Sequence, residues 1–228
     1  MPRIPKEKEP KLGRRAAETA GPGADDLARI ALDLFAERHF ASVTIKDIGS
    51  AANVNSAMIY YHYKDKLALF NAAIDSAMNE AFRLFADHCH NDKHDNAVSA
   101  IEAWLDVHVR LHKRLRNVIK ISLDCTGPEF SDARSSIRRF YAHESKILQE
   151  IIRDGIASGY FRRVEPSIIA TMISAFLDGV LARSLILKDF DILKTVKEFK
   201  LTLWLHLGYR PAQARASSRN SATARKSA

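Results

Sequence analysis

Cysteine is scarce in this chain of 228 residues, with only Cys89 and Cys125 present. Two thiols so far apart build no disulfide framework, so the fold must be held by a core, and a reducing cytoplasm is the natural compartment. No apolar run opens the sequence; residues 1–24 are rich in Pro, Gly, Lys and Arg, which predicts no signal peptide. Gly-rich phosphate loops, nucleophile elbows and paired-carboxylate motifs are missing too, which argues against catalysis and gives no reason to expect a cofactor. No alternating run bounded by turn signals points to a sheet, and there is no internal repeat. The one long greasy stretch, Ile168 to Leu187, holds Asp178 and Arg183 well inside it. Each charge would cost roughly 2.5–3.5 kcal/mol at a bilayer centre, so the expectation is a soluble protein without a membrane span.

What is present is a large apolar fraction, 46%, and a formal charge of +8 placed entirely at the two ends. Residues 1–24 carry +3 and residues 210–228 carry +5, while residues 25–209 are balanced at 24 basic against 24 acidic. Tails of this composition bury too little to offset the entropy of ordering. They read as a basic flexible arm (1–24) and a basic disordered tail (210–228), either solubilising or adding a salt-sensitive attraction to phosphates.

Between the tails the apolar residues recur at helical spacing. Leu27, Ile30, Ala31, Leu34 and Phe35 mark a helix at 25–38. Leu67, Phe70, Ile74, Ala77, Met78, Ala81, Phe82 and Phe85 mark a longer one. Ile101 to Leu111 gives a third stripe and Ile137 to Ile152 a fourth. Breaks fall at Thr126-Gly127-Pro128 and Ser158-Gly159, where glycine can take a left-handed cap, and Pro166 suits the first turn of the next helix. The last two helices, 168–187 and 192–207, are apolar on more than one side. Apolar surface beyond the needs of one chain's core predicts a homodimer through Phe176, Gly179, Val180, Arg183, Phe199 and Leu203. A thicker monomeric bundle is the alternative. The fold class is all-α.

One segment carries a sharper signal. Thr44-Ile45-Lys46-Asp47 reads as a capping box, with Asp as a shorter-reaching substitute for the usual Glu. The helix it starts, Ile45 to Ala52, ends at Asn53, a residue that tolerates left-handed backbone. Val54 plugs the corner and Asn55 caps a second short helix from Ser56 to Tyr61 or beyond. Two short helices joined by a tight turn, supported by the helix at 25–38, form a helix-turn-helix, which lays its second helix in the major groove.

Phe35-Ala-Glu-Arg-His-Phe40, Val43-Thr-Ile-Lys-Asp-Ile48 and the run from Ala51 through Asn53, Asn55 and Tyr60-Tyr61-His62 to Lys66-Leu67 together resemble the tetracycline-repressor (TetR) family signature. The likeness covers about residues 25–72. It implies an N-terminal three-helix DNA-binding domain (25–72) and a larger C-terminal helical bundle for ligand binding and dimerisation (73–209). It implies that Thr44 and Lys46 contact phosphate or a groove edge, that Ser56, Ala57 and Met58 read bases, that Tyr60, Tyr61 and His62 anchor the backbone, and that Lys66 pairs with a phosphate. His39 and Asn53 stand where the family usually has glycine, Asn55 where it has Ser or Thr, and Ala57 where it commonly has Gly. His39 then needs a positive φ or an altered turn. Asp178-Gly179-Val180 echoes a "dGv" element of the family's penultimate helix.

The same resemblance implies a repressor of transcription. A small-molecule effector enters among the central helices, shifts the helix after the reading head and releases double-stranded operator DNA. Candidate lining residues are Phe82, Phe85, Trp104, His108, Phe140, Tyr141 and Phe176, each of which also suits an ordinary core. Aromatics with one histidine suggest an apolar ligand with a single polar handle, such as an aromatic acid or acyl thioester. His88-Cys89-His90 with His94, and His108 with His112, have spacings a metal could use. Polar surroundings for the first set, and no Glu beside the second, make ordinary histidines the simpler reading, and no metal site is expected. An all-helical carrier or enzyme for an apolar ligand, and a sequence-indifferent DNA binder driven by the tails, are the competing classes.

Overall fold

The computed structural model describes residues 22–91 and 96–210, with the side chains of 88–91 left aside. The two basic tails, apart from a few inner residues, and the His88-Cys89-His90/His94 group lie outside those descriptions. Among the described residues there are nine α-helices, two single 3-10 turns and no strand.

Three short elements make the head: α1 (Ala24–Glu37), α2 (Ile45–Ala51) and α3 (Ser56–His62). Their apolar positions converge on Leu27, Ala31, Phe35, Val43, Ile48 and Ile59, all buried. The body follows with α4 (Lys66–Asn91), α5 (Ala97–Arg110), α6 (His112–Asp124), α7 (Ser131–Ala157), α8 (Pro166–Ile186) and α9 (Ile192–Leu207). Head and body share one core. Helix α1 packs on both α4 and α6. A knot of rings, Phe35, Phe40, Phe70 and Phe130, with centroids 5.1–5.4 Å apart where they pair, ties the turn after α1 to α4 and to the turn before α7.

Most of the predicted boundaries hold to within a residue or two. Gly159 takes φ +74° behind α7, and Pro166 opens α8 at its first position, where the missing N–H has no helical acceptor to lose. Gly127 does not behave as expected: at φ −62° it stands in extended backbone before the 3-10 turn Pro128–Phe130. The unforeseen element is α6. The helical pattern runs through Leu111, yet the chain breaks there at φ −93°, ψ 8°, and a separate helix starts at His112.

Among the described residues, helix α8 alone is long and apolar enough to cross a membrane, by length and composition. Inside the protein one side of it packs through Ile169, Ile173, Leu177 and Leu181, while Ile168, Met172 and Ile186 stay exposed.

Candidate functional site

The head is built by caps and by one close approach. Thr44 Oγ accepts from the Asp47 backbone N–H at 3.1 Å, and the Asp47 carboxylate accepts from the Thr44 N–H at 2.8 Å. The aspartate therefore closes a full reciprocal box despite its short side chain. These hydrogen bonds, with the Thr44 hydroxyl first among them, hold the Asp47 carboxyl below its ordinary range. Helix α2 ends in a Schellman motif: Val54 N–H donates to Gly49 O at 2.8 Å and Asn53 N–H to Ser50 O at 3.2 Å. Asn53 sits at φ +54°, the left-handed turn residue the sequence predicts. Gly49, which the sequence reading passed over, lets the turn fold this closely, because a Cβ there would lie 2.8 Å from the Val54 carbonyl oxygen. Asn55 caps α3 by accepting from Met58 N–H at 3.0 Å. His39 avoids a positive φ by the altered turn, standing at φ −63° as the cap of the 3-10 turn Phe40–Ser42.

This scaffold sorts the expected DNA contacts. Lys46, Ala57, Met58, Tyr60 and Tyr61 are exposed, Tyr61 at 82%, whereas Ser56 and His62 are half-buried and Ile59 alone of the helix points into the core. An exposed Tyr pair on a short helix has no core-packing purpose. Two of the residues expected at DNA also have partners inside the head. The Thr44 hydroxyl is engaged on Asp47, and the Lys66 ammonium donates to the carbonyls of Phe40 and Val43 at 2.9 and 2.8 Å while sitting 4.3 Å from the Phe40 ring centroid. Both side chains brace the head, Lys66 by tying together the carbonyls of Phe40 and Val43 at the two ends of the 3-10 turn. Tyr63, unassigned by the sequence reading, is a third brace, donating to Ala24 O at 2.7 Å.

In the body, a cavity of about 420 Å³ opens between α4, α5, α6, α7 and α8. Helix α6 gives it Leu115, Val118, Ile119, Ser122 and Leu123; α7 gives Ile137, Phe140 and Tyr141; α8 gives Asp178, Gly179, Leu181 and Ala182; Met78 and His108 complete the wall. Of the seven lining residues expected, His108, Phe140 and Tyr141 are there. Phe82, Phe85 and Trp104 are not, because they pack on one another at 5.1–5.7 Å as core, with Trp104 fully buried. Phe176 faces away and stacks on Phe199, centroids 3.7 Å apart. The dimer set is also revised: Val180 and Leu203 are buried in their own protomer and Gly179 borders the cavity, leaving Phe176, Phe199 and exposed Arg183 on the outer face.

A polar seam runs behind the cavity. Glu144, buried, accepts from Trp104 Nε1 at 3.1 Å and from Ser174 Oγ at 2.6 Å, and lies 3.9 Å from His108 Nε2. Burial pushes the Glu144 carboxyl up to about 7, against the pull of its two donors, and pushes His108 down to about 4. Tyr141 donates to Asp178 Oδ2 at 2.8 Å. Burial raises both of these groups, with the Asp178 charge adding to the effect on Tyr141. The signal for Asp178 was visible in the sequence as a charge inside the greasiest stretch of the chain. Nothing of that kind marked the α6 wall.

Helix α6 has a second set of neighbours. Asn117 donates to Asp33 of α1 at 2.9 Å, the Lys120 ammonium donates to the Ala36 carbonyl near the C-terminal end of α1, and Arg114 pairs with Glu80 of α4. The same helix thus lines the cavity and holds the head.

Residues 29–73 match the family model described as bacterial regulatory proteins, tetR family. That stretch runs from α1 into α4, so the head is similar to the DNA-binding segment of that family. It is 24% identical over 148 residues to the HTH-type transcriptional repressor KstR2 of Mycolicibacterium smegmatis, which covers 60% of this chain and 67% of that one. Among solved structures, a TetR transcriptional regulator from Chloroflexus aurantiacus superposes with a TM-score of 0.65 at 24% identity, covering 81% of this chain and 93% of that one. FadR from Bacillus subtilis, solved in complex with stearoyl-CoA, superposes with a TM-score of 0.64 at 18% identity, covering 78% and 95%. At such identities the superpositions establish the fold alone: a helix-turn-helix head on an all-helical body, as in those structures.

Proposed function

We propose that the protein is a homodimeric, cytoplasmic repressor that leaves its operator when a small molecule fills the cavity between α4 and α8. The observation that carries this reading is the double duty of α6. Five of its residues wall the cavity, and Asn117 and Lys120 bond the helix to α1 of the head. A ligand that wedges α6 therefore displaces the head without crossing any soft connection. Residues 25–72 are assigned to DNA and 73–209 to ligand and dimer. The scheme is a two-state equilibrium: the effector binds the DNA-incompetent state better, and DNA weakens the effector by the same factor.

Within the head, Lys46, Tyr60, Tyr61 and His62 are assigned to the phosphate backbone, and Ser56, Ala57 and Met58 to base edges. Ala57 and Met58 bring no strong hydrogen-bonding group, so recognition rests on methyl contacts and DNA shape. The dimer is assigned to the outer face of α8 and α9, where Phe176 and Phe199 stack and Ile168, Met172, Leu201 and Leu205 remain exposed. Leu205 is 81% exposed, a poor place for a leucine in a monomer. No catalytic step belongs to this reading, and the repressor direction agrees with the name of the M. smegmatis relative.

The test is a polarisation titration of the full chain against DNA from upstream of its own coding region, at several salt concentrations. A repressor keeps a strong preference for one pseudo-palindrome with half-sites about a helical turn, or a multiple of it, apart. A steep salt slope with little sequence preference would point instead to an architectural binder, and no binding at all to a carrier or enzyme.

A further inference from the structure

The polar groups of the cavity wall share a property that decides what can bind there: their hydrogens are already engaged inside the protein. Tyr141 donates its hydroxyl hydrogen to Asp178 Oδ2 at 2.8 Å, and Ser122 donates to Val118 O at 2.6 Å. His108 Nδ1 lies 3.0 Å from the Trp104 carbonyl oxygen, which can only accept, so that nitrogen carries the ring's hydrogen. The ring is neutral in this dry setting, and Nε2 is left as a bare lone pair. Asp178 brings a carboxylate oxygen beyond the one that Tyr141 holds. No Lys or Arg is among the described residues lining the cavity, and the rest of the wall is apolar except for hydroxyl lone pairs. In the second cavity beyond the Tyr141–Asp178 bridge, about 340 Å³, Ser174 donates to Glu144 and Thr171 to Ser167 O, so these two hydroxyls are engaged in the same way.

A wall of acceptors with one half-buried carboxylate selects by charge and by hydrogen direction. A carboxylate, phosphate or other anionic head would meet Asp178 at short range in a low dielectric with no cation between them. A carbonyl head would find no donor and would lose its water without replacement. An alcohol or ammonium head would satisfy the open acceptors, while its hydrocarbon body would fill the Leu115, Val118, Ile119 and Phe140 surface. Resting on the effector reading above, we infer that the cavity takes a hydrophobic molecule whose polar head donates hydrogen bonds, a hydroxyl or a protonated amine, seated against Asp178. This replaces the acid or acyl thioester that the aromatic composition alone suggested.

Four probes on one ten-carbon skeleton test the point by titration calorimetry of the full chain: 1-decanol, decylamine, decanoate and decanoyl-CoA. At least one donor-headed probe should bind about tenfold or more tightly than decanoate or decanoyl-CoA. Asp178→Asn separates the two heads: it should weaken decylamine by about tenfold or more if an ammonium is the natural head, and shift decanol only a few-fold. Equal or tighter binding of decanoate or decanoyl-CoA overturns the inference, as does failure of both donor-headed probes to bind. An operator titration on the same preparation keeps the two readings apart. Loss of all DNA recognition would sink the regulator while the probe ranking still judged the cavity. An acid that binds tightly and releases DNA would sink the cavity chemistry and leave the regulator standing.

Discussion

In the head, the stretch from Val43 to Tyr63 supplies both scaffold and reading surface, and the two kinds of residue interleave along the chain. Val43, Ile48 and Ile59 go inward, while Lys46, Ala57 and Tyr61 go outward. In the body, the cavity takes its wall from five helices spanning Met78 to Ala182, and the residues behind that wall are the core itself. The difference teaches where function and stability separate. On α3 a side chain can be changed without touching the fold. Around the cavity, binding and packing share residues, so a change in one is a change in both.

The comparison breaks first at Trp104. Its truncation to alanine should cost about 3–5 kcal/mol by urea unfolding, because a fully buried indole leaves a hole among Phe82, Phe85 and Phe140. A loss below about 1 kcal/mol would mean that the body is looser than its ring packing implies.

Next comes the buried acid and imidazole. Glu144 is held at about 7 against an ordinary 4.5, so the unfolded chain gives up that proton first and stability falls as pH rises from 4.5 to 7. His108 is held at about 4 against 6.5, so the unfolded chain takes up that proton first and stability falls as pH drops from 6.5 to 4. Together the two slopes oppose each other, and the pair leaves wild-type stability nearly flat where the windows overlap. Glu144→Gln should expose the histidine slope and His108→Gln the glutamate slope, each about 3 kcal/mol across its window and of opposite sign. Unfolding midpoints at three pH values measure both. Parallel profiles in the two variants would refute the assignment.

On the head the effects are smaller and fall on binding. Tyr61→Ala should weaken operator affinity by about tenfold while leaving unfolding free energy within about 0.5 kcal/mol and the dimer intact. A destabilised or monomeric variant would show that the head is not the separable unit described. Least of all, Asn55→Ala should cost about 1 kcal/mol of stability through the lost cap on α3, with a matching fraying of that helix by hydrogen exchange.

The same contrast governs what could be read from the sequence. The head was legible almost to the residue because its determinants are local: a cap three residues from its partner, a left-handed Asn between two short helices, a Tyr-Tyr-His run facing solvent. Gly49 and Tyr63 escaped, since the role of each depends on a carbonyl brought in by the fold: Val54 O comes back against Gly49, and Ala24 O meets the Tyr63 hydroxyl from 39 residues away. The body gave up its helices but not its site. Apolar spacing marks which residues are inside, and cannot tell a wall from a filled core, so Phe82 and Trp104 looked as suitable as Phe140. Helix α6 was hidden because the break at Leu111 carries neither Gly nor Pro. The bracing bonds of Thr44 and Lys66 were hidden for a related reason: a polar group on the head looks free until its partner is seen.

On the proposed reading, Gly49 sets terms for how the head can change over time. Any side chain there pushes against the Val54 carbonyl and opens the corner, so drift at that position would disturb the presentation of α3 to every DNA site at once. Ala57 and Met58, a few residues on, bear no such constraint. If Ala57 and Met58 meet base edges as proposed, new target sequences are reachable by single steps on the outer helix, each leaving a foldable protein behind it, while the corner between the two short helices stays fixed.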